Sequence, residues 1–228
     1  MKKTSSMSYQ FTLSPELHDR CPEYRGVAVC AEVSNTPFCA ELWQEIDTFT
    51  RELRATETAD STKLHPAIAA TREAYRRCGK DPSRYRPSAE ALRRRLLRGL
   101  ELYRIDTLVD LINLVSLRTG YSIGGFDADT IQGNALTLGI GRAEEPFEGI
   151  GRGVLNIEDL PVWRDALGGI GTPTSDNERT KMGLATRRIL VIVNGYSGRD
   201  GLEEAARMTQ QLLRRYAASD GGTAVCFG

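Results

Sequence analysis

The sequence has few of the side chains from which metal and redox sites are built. It contains two histidines, His18 and His65, and five cysteines that are widely spaced and form no Cys-x-x-Cys pair. Zinc and thiol redox sites depend on closely spaced ligands of these two types. We therefore expect no metal and no cofactor, and we interpret the cysteines as reduced thiols that pack as small apolar groups.

The chain also lacks a long apolar run. No stretch approaches the roughly 18 apolar residues of a membrane span, and the opening residues MKKTSSMSYQFTLSPEL lack the apolar block of a signal peptide. Its 228 residues are 40% hydrophobic and 26% charged, as is ordinary for a globular protein. We expect a soluble, cytoplasmic protein with no membrane partner. Residues 1–60 are predicted to form an extension packed into one compact unit with the domain at residues 61–228.

The net charge of zero hides a local excess of positive charge. Residues 61–100 carry eleven basic and three acidic side chains, a net charge of +8. Such a cluster is typical of a phosphate-binding surface, because bound cations release counterions from a nucleic acid. A solvated helix face whose arginines pair with acids elsewhere is the alternative. The nucleic-acid interpretation assigns tRNA binding to Arg76, Arg77, Lys80, Arg93, Arg94 and Arg95.

Apolar spacing predicts helices at residues 39–54, within 61–80, within 87–102, within 105–120 and at 201–217. Pro66 suits the first turn of the second helix and Gly79 its end, whereas Asp106 or Thr107 can cap the fourth helix and Gly120 can end it. Ser88 is the predicted N-cap of the third of these helices, and its arginines are predicted to face away from a leucine stripe. Strands are predicted at residues 26–33, 135–141, 153–159, 189–195 and 223–228. Helices and strands are partly segregated along the chain, which favours an α+β fold with a mixed or antiparallel sheet.

Three polar residues recur on the otherwise apolar helix predicted within residues 105–120. Asp110, Asn113 and Ser116 are spaced at i, i+3 and i+6, so their side chains point in similar directions. A buried polar group without a partner costs about 1 to 3 kcal/mol. These residues are therefore expected to hold a neighbouring loop or to line a pocket, and Asn113 is the one expected to contact a ligand.

Three segments together resemble a known family. The run HPAIAATREAYRRCGKDPSRYRPSAEALRRRLLRGLELYRIDTLVDLINLVSL is followed by GGFD at residues 124–127 and by GGIG at residues 168–171. Over roughly residues 61–215 this pattern is similar to the B3/B4 domain of the phenylalanyl-tRNA synthetase beta subunit, and to free-standing relatives of that domain. The resemblance implies a three-layer β/β/α sandwich with mixed sheets.

The resemblance also implies a function. In the synthetase this domain hydrolyses tyrosine wrongly attached to tRNA, so the chain is expected to bind tRNA or aminoacyl-tRNA and to act as a trans-acting aminoacyl-tRNA deacylase. Two alternatives stay open, a non-catalytic tRNA or amino-acid binding module and a small-molecule amino-acid sensor. Without the other synthetase domains the chain cannot charge tRNA. Where the synthetase has a histidine before its Phe-Asp pair, this chain has Ile123, Gly124 and Gly125.

Residues 168–182, GGIGTPTSDNERTKM, carry most of the expected site. In the family the glycine turn walls the editing pocket, and close-packed glycines let backbone approach a ligand. Asp176 and Thr174 are the expected catalytic residues, because a positioned water and a general base suffice for ester hydrolysis. The expected substrate-binding residues are Asn113, Gly124, Gly125, Gly169, Gly171, Thr172, Ser175 and Glu178. The alternative is a turn whose hydroxyls and carboxylates only satisfy backbone groups.

Overall fold

The computed structural model describes residues 8–228, and within this range the chain forms six α-helices and ten β-strands. In chain order they are β1 (Gln10–Leu13), α1 (Pro15–Arg20), β2 (Arg25–Glu32), α2 (Ala40–Thr56), α3 (Pro66–Cys78), α4 (Ser88–Leu97), α5 (Thr107–Thr119), β3 (Ile123–Asp127), β4 (Ala135–Ile140), β5 (Glu148–Gly149), β6 (Gly153–Val154), β7 (Pro161–Arg164), β8 (Gly169–Gly171), β9 (Arg188–Gly195), α6 (Leu202–Tyr216) and β10 (Thr223–Phe227). In this part of the chain no helix is both long and apolar enough to cross a membrane.

Two four-stranded sheets form the body of the fold. The first has the order β1-β4-β7-β8 and is mixed, since β1 pairs with β4 in parallel and the other pairs are antiparallel. The second has the order β10-β2-β9-β3 and is antiparallel throughout. The short strands β5 and β6 pair with each other. The N-terminal segment contributes β1 to the edge of the first sheet and β2 to the interior of the second.

The second sheet lies between the first sheet and a layer of helices. Along β9, Val191 and Val193 pack with α2, α5 and α6, whereas Leu190 and Ile192 pack with residues of the first sheet. Successive side chains of a strand point to opposite faces, so a strand covered on both sides needs a continuous apolar run. The run ILVIV in β9 meets this need. The predicted α+β fold, a three-layer β/β/α sandwich, is confirmed.

The helix termini follow the predicted capping chemistry. The Asp106 carboxylate accepts a hydrogen bond from the backbone N–H of Val109 at 2.9 Å, which makes it the N-cap of α5. Gly79 and Gly120 end α3 and α5 with φ angles of 103° and 73°. These angles lie in the left-handed region, which glycine enters without steric cost. The helices predicted within residues 61–80 and 105–120 therefore end at the expected glycines, and of the two candidate caps of α5 the structure has Asp106.

Helix α4 differs from the prediction in its cap and in its faces. Pro87 is the N-cap and Ser88 the first helical residue, whose N–H donates to the carbonyl of Pro173 at 2.8 Å. Leu100 lies beyond the end of the helix and is exposed. Arg93, expected on the solvated face, is 3% exposed. The prediction of a leucine stripe opposite solvated arginines was therefore wrong for this helix.

One predicted strand was also inaccurate, and several short elements were not predicted. Only Gly153–Val154 of the predicted strand 153–159 is extended and paired; the rest is a loop in which the Asn156 side chain accepts from the N–H of Glu158. Ile157 and Leu160 are apolar because they fill a small core with Tyr75 and Phe147, not because they alternate along a strand. Helix α1 and strands β1, β3, β5, β7 and β8 were missed, since segments of two to six residues are too short to give a clear periodic signal.

Candidate functional site

A pocket of about 360 Å³ lies between α5, β3 and the segment that follows β8. Apolar side chains form most of its wall, and two titratable groups and one amide are the polar features. The lining residues are Ile105, Val109, Ile112, Asn113, Ile123, Gly125, Ile150, Asp176, Lys181 and Met182. The structure thus brings three of the predicted site residues, Asn113, Gly125 and Asp176, to one cavity.

Gly171 on β8 and Gly124 on β3, each at the edge of its sheet, make room for the Asp176 carboxyl. A Cβ on Gly171 would lie 2.7 Å from Asp176 Oδ1, and a Cβ on Gly124 would lie 3.4 Å from the same atom. Both glycines also contact the buried ring of Phe126, which a Cβ at either position would approach within 2.7 Å. The small residues therefore let a carboxyl and an aromatic ring pack against backbone, and they do not themselves wall the cavity.

Asp176 has the most perturbed carboxyl of the pocket. Its Oδ2 accepts a hydrogen bond from the backbone N–H of Gly125 at 3.0 Å. Burial raises the pKa of Asp176 from the usual 3.8 to about 7, and the bond from Gly125 opposes this rise. A carboxyl with a pKa near 7 can both accept and return a proton at neutral pH, which is the property of a general base.

The three polar residues of α5 divide into two roles. The Asp110 carboxyl accepts from Trp43 Nε1 at 2.7 Å and from the N–H of Ile105 at 3.3 Å. Ser116 donates to the carbonyl of Tyr121 at 2.7 Å, so both residues hold neighbouring segments. Asn113 lines the pocket, and its side chain has no hydrogen-bond partner among residues 8–228.

Burial also raises the pKa of Asp110, to about 6, and the Trp43 hydrogen bond opposes the rise. The pocket and its support therefore contain two carboxyls that titrate close to neutral pH. Only Asp176 of the two faces the cavity.

The loop after β8 is mainly a hydrogen-bonded turn. Thr172 Oγ1 accepts from the N–H groups of Thr174 and Ser175 at 3.2 and 3.0 Å. The Thr174 hydroxyl is hydrogen-bonded to the Tyr75 hydroxyl at 2.8 Å, and Thr174 is 4% exposed. The structure therefore corrects the assignment of Thr174 as catalytic, because its hydroxyl is buried away from the pocket.

Four further predicted substrate-binding residues do not reach the pocket wall. The Ser175 hydroxyl donates to the carbonyl of Asp176, and Glu178 forms an ion pair with Lys181. A Cβ on Gly169 would meet Phe147 at 2.9 Å, and neither residue lines the pocket. The Thr172 hydroxyl is hydrogen-bonded within the turn. Glu178 still affects the charge of the pocket, because its ion-pair partner Lys181 lines the pocket.

Sequence reasoning missed the apolar wall of the pocket and Lys181. Ile105 and Ile150 are 57% and 40% exposed in irregular segments, so no periodicity marks them. Lys181 and Met182 directly follow the predicted loop. Their position beside Gly125 depends on the pairing of Lys181 with Phe126, a contact between distant parts of the chain.

The structure ties most of the predicted tRNA-binding arginines to other groups. Arg93 pairs with Glu57 and donates to the carbonyl of Leu117, and Lys80 donates to the carbonyls of Asn156 and Glu158. Both side chains are less than 10% exposed and cannot contact a phosphate in this conformation.

The other four members of the predicted cluster are more accessible. Arg76 and Arg77 are exposed but pair with Glu73, and Arg77 also pairs with Glu23. Arg94 pairs with Asp60 and donates to the carbonyl of Ala59 at 2.6 Å. Arg95 forms no ion pair within residues 8–228 and donates to the carbonyl of Glu101 at 2.5 Å. Three acids from other segments, Glu23, Glu57 and Asp60, pair with arginines of this block, so the local charge of +8 is only partly neutralised.

Arg93→Ala is expected to destabilise the fold by about 1 to 3 kcal/mol, because it leaves the Leu117 carbonyl and Glu57 without their partner. The matched control, Arg76→Ala, removes an exposed side chain and should change the free energy of unfolding by no more than about 0.5 kcal/mol. Urea denaturation of both variants measures the difference. Equal midpoints would show that Arg93 has no structural role.

A model of the family described as B3/4 domain matches residues 70–217. No curated protein matches the chain. A solved structure similar to the chain is the crystal structure of an N-terminal fragment of the phenylalanyl-tRNA synthetase beta-subunit from Pyrococcus horikoshii, with a TM-score of 0.49 and 13% sequence identity. The match covers 98% of this chain and 53% of that one, so the chain spans about half the length of the fragment.

Proposed function

Because the chain belongs to the B3/4 domain family, we propose that it binds an aminoacyl-tRNA and hydrolyses the ester that joins the amino acid to the ribose. The observation that carries this proposal is the Asp176 carboxyl, whose pKa is about 7 and which faces an apolar cavity of about 360 Å³. A general base works best when its pKa is close to the working pH.

In the proposed reaction Asp176 activates a water molecule. The carboxylate takes a proton from the water while the water oxygen bonds to the ester carbonyl carbon. The carbon–oxygen bond to the ribose then breaks, and the ribose oxygen leaves with the electron pair and takes the proton back from Asp176. No histidine or cysteine is needed, because the water is the nucleophile and the carboxyl transfers its proton.

The pocket walls suggest how the rest of the substrate is held. Ile112, Ile123 and Met182 offer an apolar surface to the amino-acid side chain, which loses contact with water when it enters. The Asn113 amide and the Lys181 ammonium are the polar donors that line the pocket beside Asp176. Either donor can stabilise the negative charge that develops on the carbonyl oxygen.

Asn113→Leu is expected to lower kcat/KM by about 10-fold or more while changing stability by about 0.5 kcal/mol or less. The amide has no hydrogen-bond partner within residues 8–228, so its loss leaves no other group unpaired. Thermal unfolding and single-turnover deacylation test the two halves separately. A lower melting temperature with unchanged deacylation would instead assign Asn113 to the support of the fold.

Non-catalytic binding of an aminoacyl group is the second candidate function, and one observation favours it. The backbone N–H of Gly125, the backbone group at the pocket wall, is already used by Asp176 and is not free for an oxyanion. An ionised Asp176 in an apolar pocket would also bind the ammonium of an amino acid. The same pocket would then serve a tRNA-binding module or an amino-acid sensor.

A deacylation screen of the purified protein against a panel of correctly charged and mischarged tRNAs separates these functions. Release of the amino acid faster than the uncatalysed rate supports hydrolysis, and selectivity for one amino acid identifies the substrate. Saturable binding of a charged tRNA without release would assign the chain to the binding function. Binding of free amino acids alone would assign it to the sensor.

A further inference from the structure

Four arginines on one side of the molecule, of which only Arg95 belongs to the predicted cluster, have no acidic partners within residues 8–228. Arg51, Arg54, Arg95 and Arg104 form no ion pair with an acid in the part of the chain that the structure describes. Arg51 contacts Thr48 Oγ1 at 3.1 Å, and Arg54 donates to the carbonyls of Leu96 and Leu100. Together with Tyr103 we call these residues the arginine–tyrosine surface. These cations have no acidic partner among the described residues, whereas Arg76, Arg77, Arg93 and Arg94 of the predicted cluster each pair with an acid.

The arginine–tyrosine surface borders a groove of about 270 Å³ between α2, the end of α4 and the segment before α5. Arg51, Arg54 and Arg104 line this groove, and Trp43, Leu96 and Leu102 provide apolar wall. Asp47 and Glu101 are the acids among the lining residues, so positive charge exceeds negative charge at the rim. A basic rim around an apolar groove suits a polyanion that also carries flat apolar groups.

Two aromatic rings beside these arginines, those of Tyr103 and Phe38, are exposed, whereas the Trp43 ring is buried. Tyr103 is 68% exposed, with the Arg95 guanidinium 4.0 Å from its ring centroid. The Arg104 guanidinium lies 4.9 Å from the Trp43 ring and 5.5 Å from the Phe38 ring, and Phe38 is 47% exposed. Exposed rings next to arginines are the groups on which unpaired bases stack.

The groove is joined to the Asp176 pocket by two consecutive residues. Arg104 lines the groove and Ile105 lines the pocket. The Asp110 carboxyl fixes this junction, because it binds both Trp43 Nε1 in the groove and the N–H of Ile105. A strand lying in the groove would therefore have its end next to the pocket mouth.

We propose that the arginine–tyrosine surface binds single-stranded RNA and directs its aminoacylated end into the Asp176 pocket. The inference rests on the proposed function and identifies the surface that the RNA uses. Stacking on Tyr103 requires a base whose faces are free, which a double helix does not offer. The arginines contact phosphates, since a phosphodiester backbone is the polyanion that accompanies unpaired bases.

The test is fluorescence anisotropy with a labelled single-stranded RNA of about 10 nucleotides, a length within the range of known single-strand sites. Tyr103→Ala is expected to weaken binding by about 5- to 100-fold, as measured for lost base stacking elsewhere. Arg95→Gln/Arg104→Gln should reduce the slope of log Kd against log salt by about 1.4, at about 0.7 for each lost phosphate contact. A duplex of the same sequence should bind more weakly than the single strand.

The matched control is Arg76→Gln/Arg77→Gln, which removes two exposed but acid-paired arginines of the predicted cluster. This control should bind within about twofold of the wild type, because neither side chain lines the groove. The inference is overturned if the wild type does not bind the RNA, if Tyr103→Ala binds normally, or if the control weakens binding as much as Arg95→Gln/Arg104→Gln. Circular dichroism of each variant excludes unfolding as the cause of a loss.

Assaying the same wild-type preparation for deacylation separates this inference from the proposed function. If the wild type deacylates tRNA and Tyr103→Ala binds RNA normally, the arginine–tyrosine surface is rejected as the RNA site. The proposed hydrolytic function is then retained. RNA binding that depends on Tyr103, without release of any amino acid, would keep the surface and reject hydrolysis.

Discussion

Asp176→Asn is expected to lower the deacylation rate by about 10²- to 10⁴-fold, the usual contribution of a general base. Asparagine keeps the shape of the carboxyl but cannot accept a proton from water. It retains an oxygen that can accept the hydrogen bond from Gly125. Single-turnover deacylation at saturating protein measures the change. A loss of less than about tenfold would indicate that Asp176 binds the substrate but does not act as the base.

A suitable control for this substitution is Glu148→Gln. Glu148 is an exposed carboxylate on β5, next to the loop that carries Asp176. Its conversion to an amide removes the same charge without altering the pocket. Both variants losing activity equally would point to a general effect of charge and would reject Asp176 as the base.

The pH profile gives a second readout of the same carboxyl. With a pKa of about 7, Asp176 is protonated and inactive as a base below neutral pH, so the wild-type rate should rise through pH 7 and level off above it. The residual rate of Asp176→Asn should lack this rise. A wild-type deacylation rate that does not change between about pH 5 and pH 8 would contradict the role of Asp176 as the general base.

The same pKa has a consequence for stability. Because the pKa of Asp176 is raised on folding, the folded state holds this proton more tightly than the unfolded state does. The resulting stability is present at pH below the usual carboxyl value and is lost as the pH rises towards 7. The melting temperature of the wild type should therefore fall relative to Asp176→Asn between pH 5 and pH 8. Asp110 titrates in the same range in both proteins, so its effect cancels in the difference.

Gly125→Leu is expected to abolish substrate binding by filling the cavity. Gly125 lies in β3 and lines the pocket, and a Cβ there would meet Ile112 Cδ1 and Met182 Cε at 2.8 Å. Both atoms are the ends of flexible side chains and can move. We expect an overpacking cost of about 1 to 3 kcal/mol with the fold retained. Loss of kcat/KM should be about 10-fold or more, because the leucine occupies the space of the amino-acid side chain.

Gly183→Leu is the matched control for this prediction. A Cβ on Gly183 would meet nothing within 4 Å, so the same side chain added two residues from Lys181 should be tolerated. Titration of a charged tRNA against both variants, with their melting temperatures, measures the contrast. If Gly125→Leu binds substrate as well as Gly183→Leu does, the pocket is not the substrate site.

Gly169 does not line the pocket, contrary to the expectation from the family resemblance. The resemblance placed this glycine in the pocket wall, but its hydrogen faces Phe147 within the small core beside β7. A large residue at position 169 would therefore damage packing and would not report on the pocket. Position 125 is the informative one, because a substitution there enters the cavity directly.

Local chemistry predicted five of the six helices and the strands β2, β4, β9 and β10 from the sequence alone. The cap residues Asp106, Gly79 and Gly120 act within a few residues of themselves, so their roles could be predicted without knowledge of distant segments. The family resemblance supplied the layered fold, and the polar spacing of α5 marked Asp110, Asn113 and Ser116 as residues that hold a loop or line a pocket. Asp176 was recognised because a glycine-rich turn preceded it.

Only the tertiary structure decided which charges are free and which polar groups face a cavity. Arg93 and Arg104 cannot be distinguished by their sequence context, yet Glu57 pairs with the first across 36 residues and no acid pairs with the second within residues 8–228. Likewise Thr174 and Asp176 differ by two positions, but one contacts Tyr75 in the core and the other faces the pocket. Such differences depend on contacts between segments far apart in the chain, because burial and pairing energies arise only when those segments pack together.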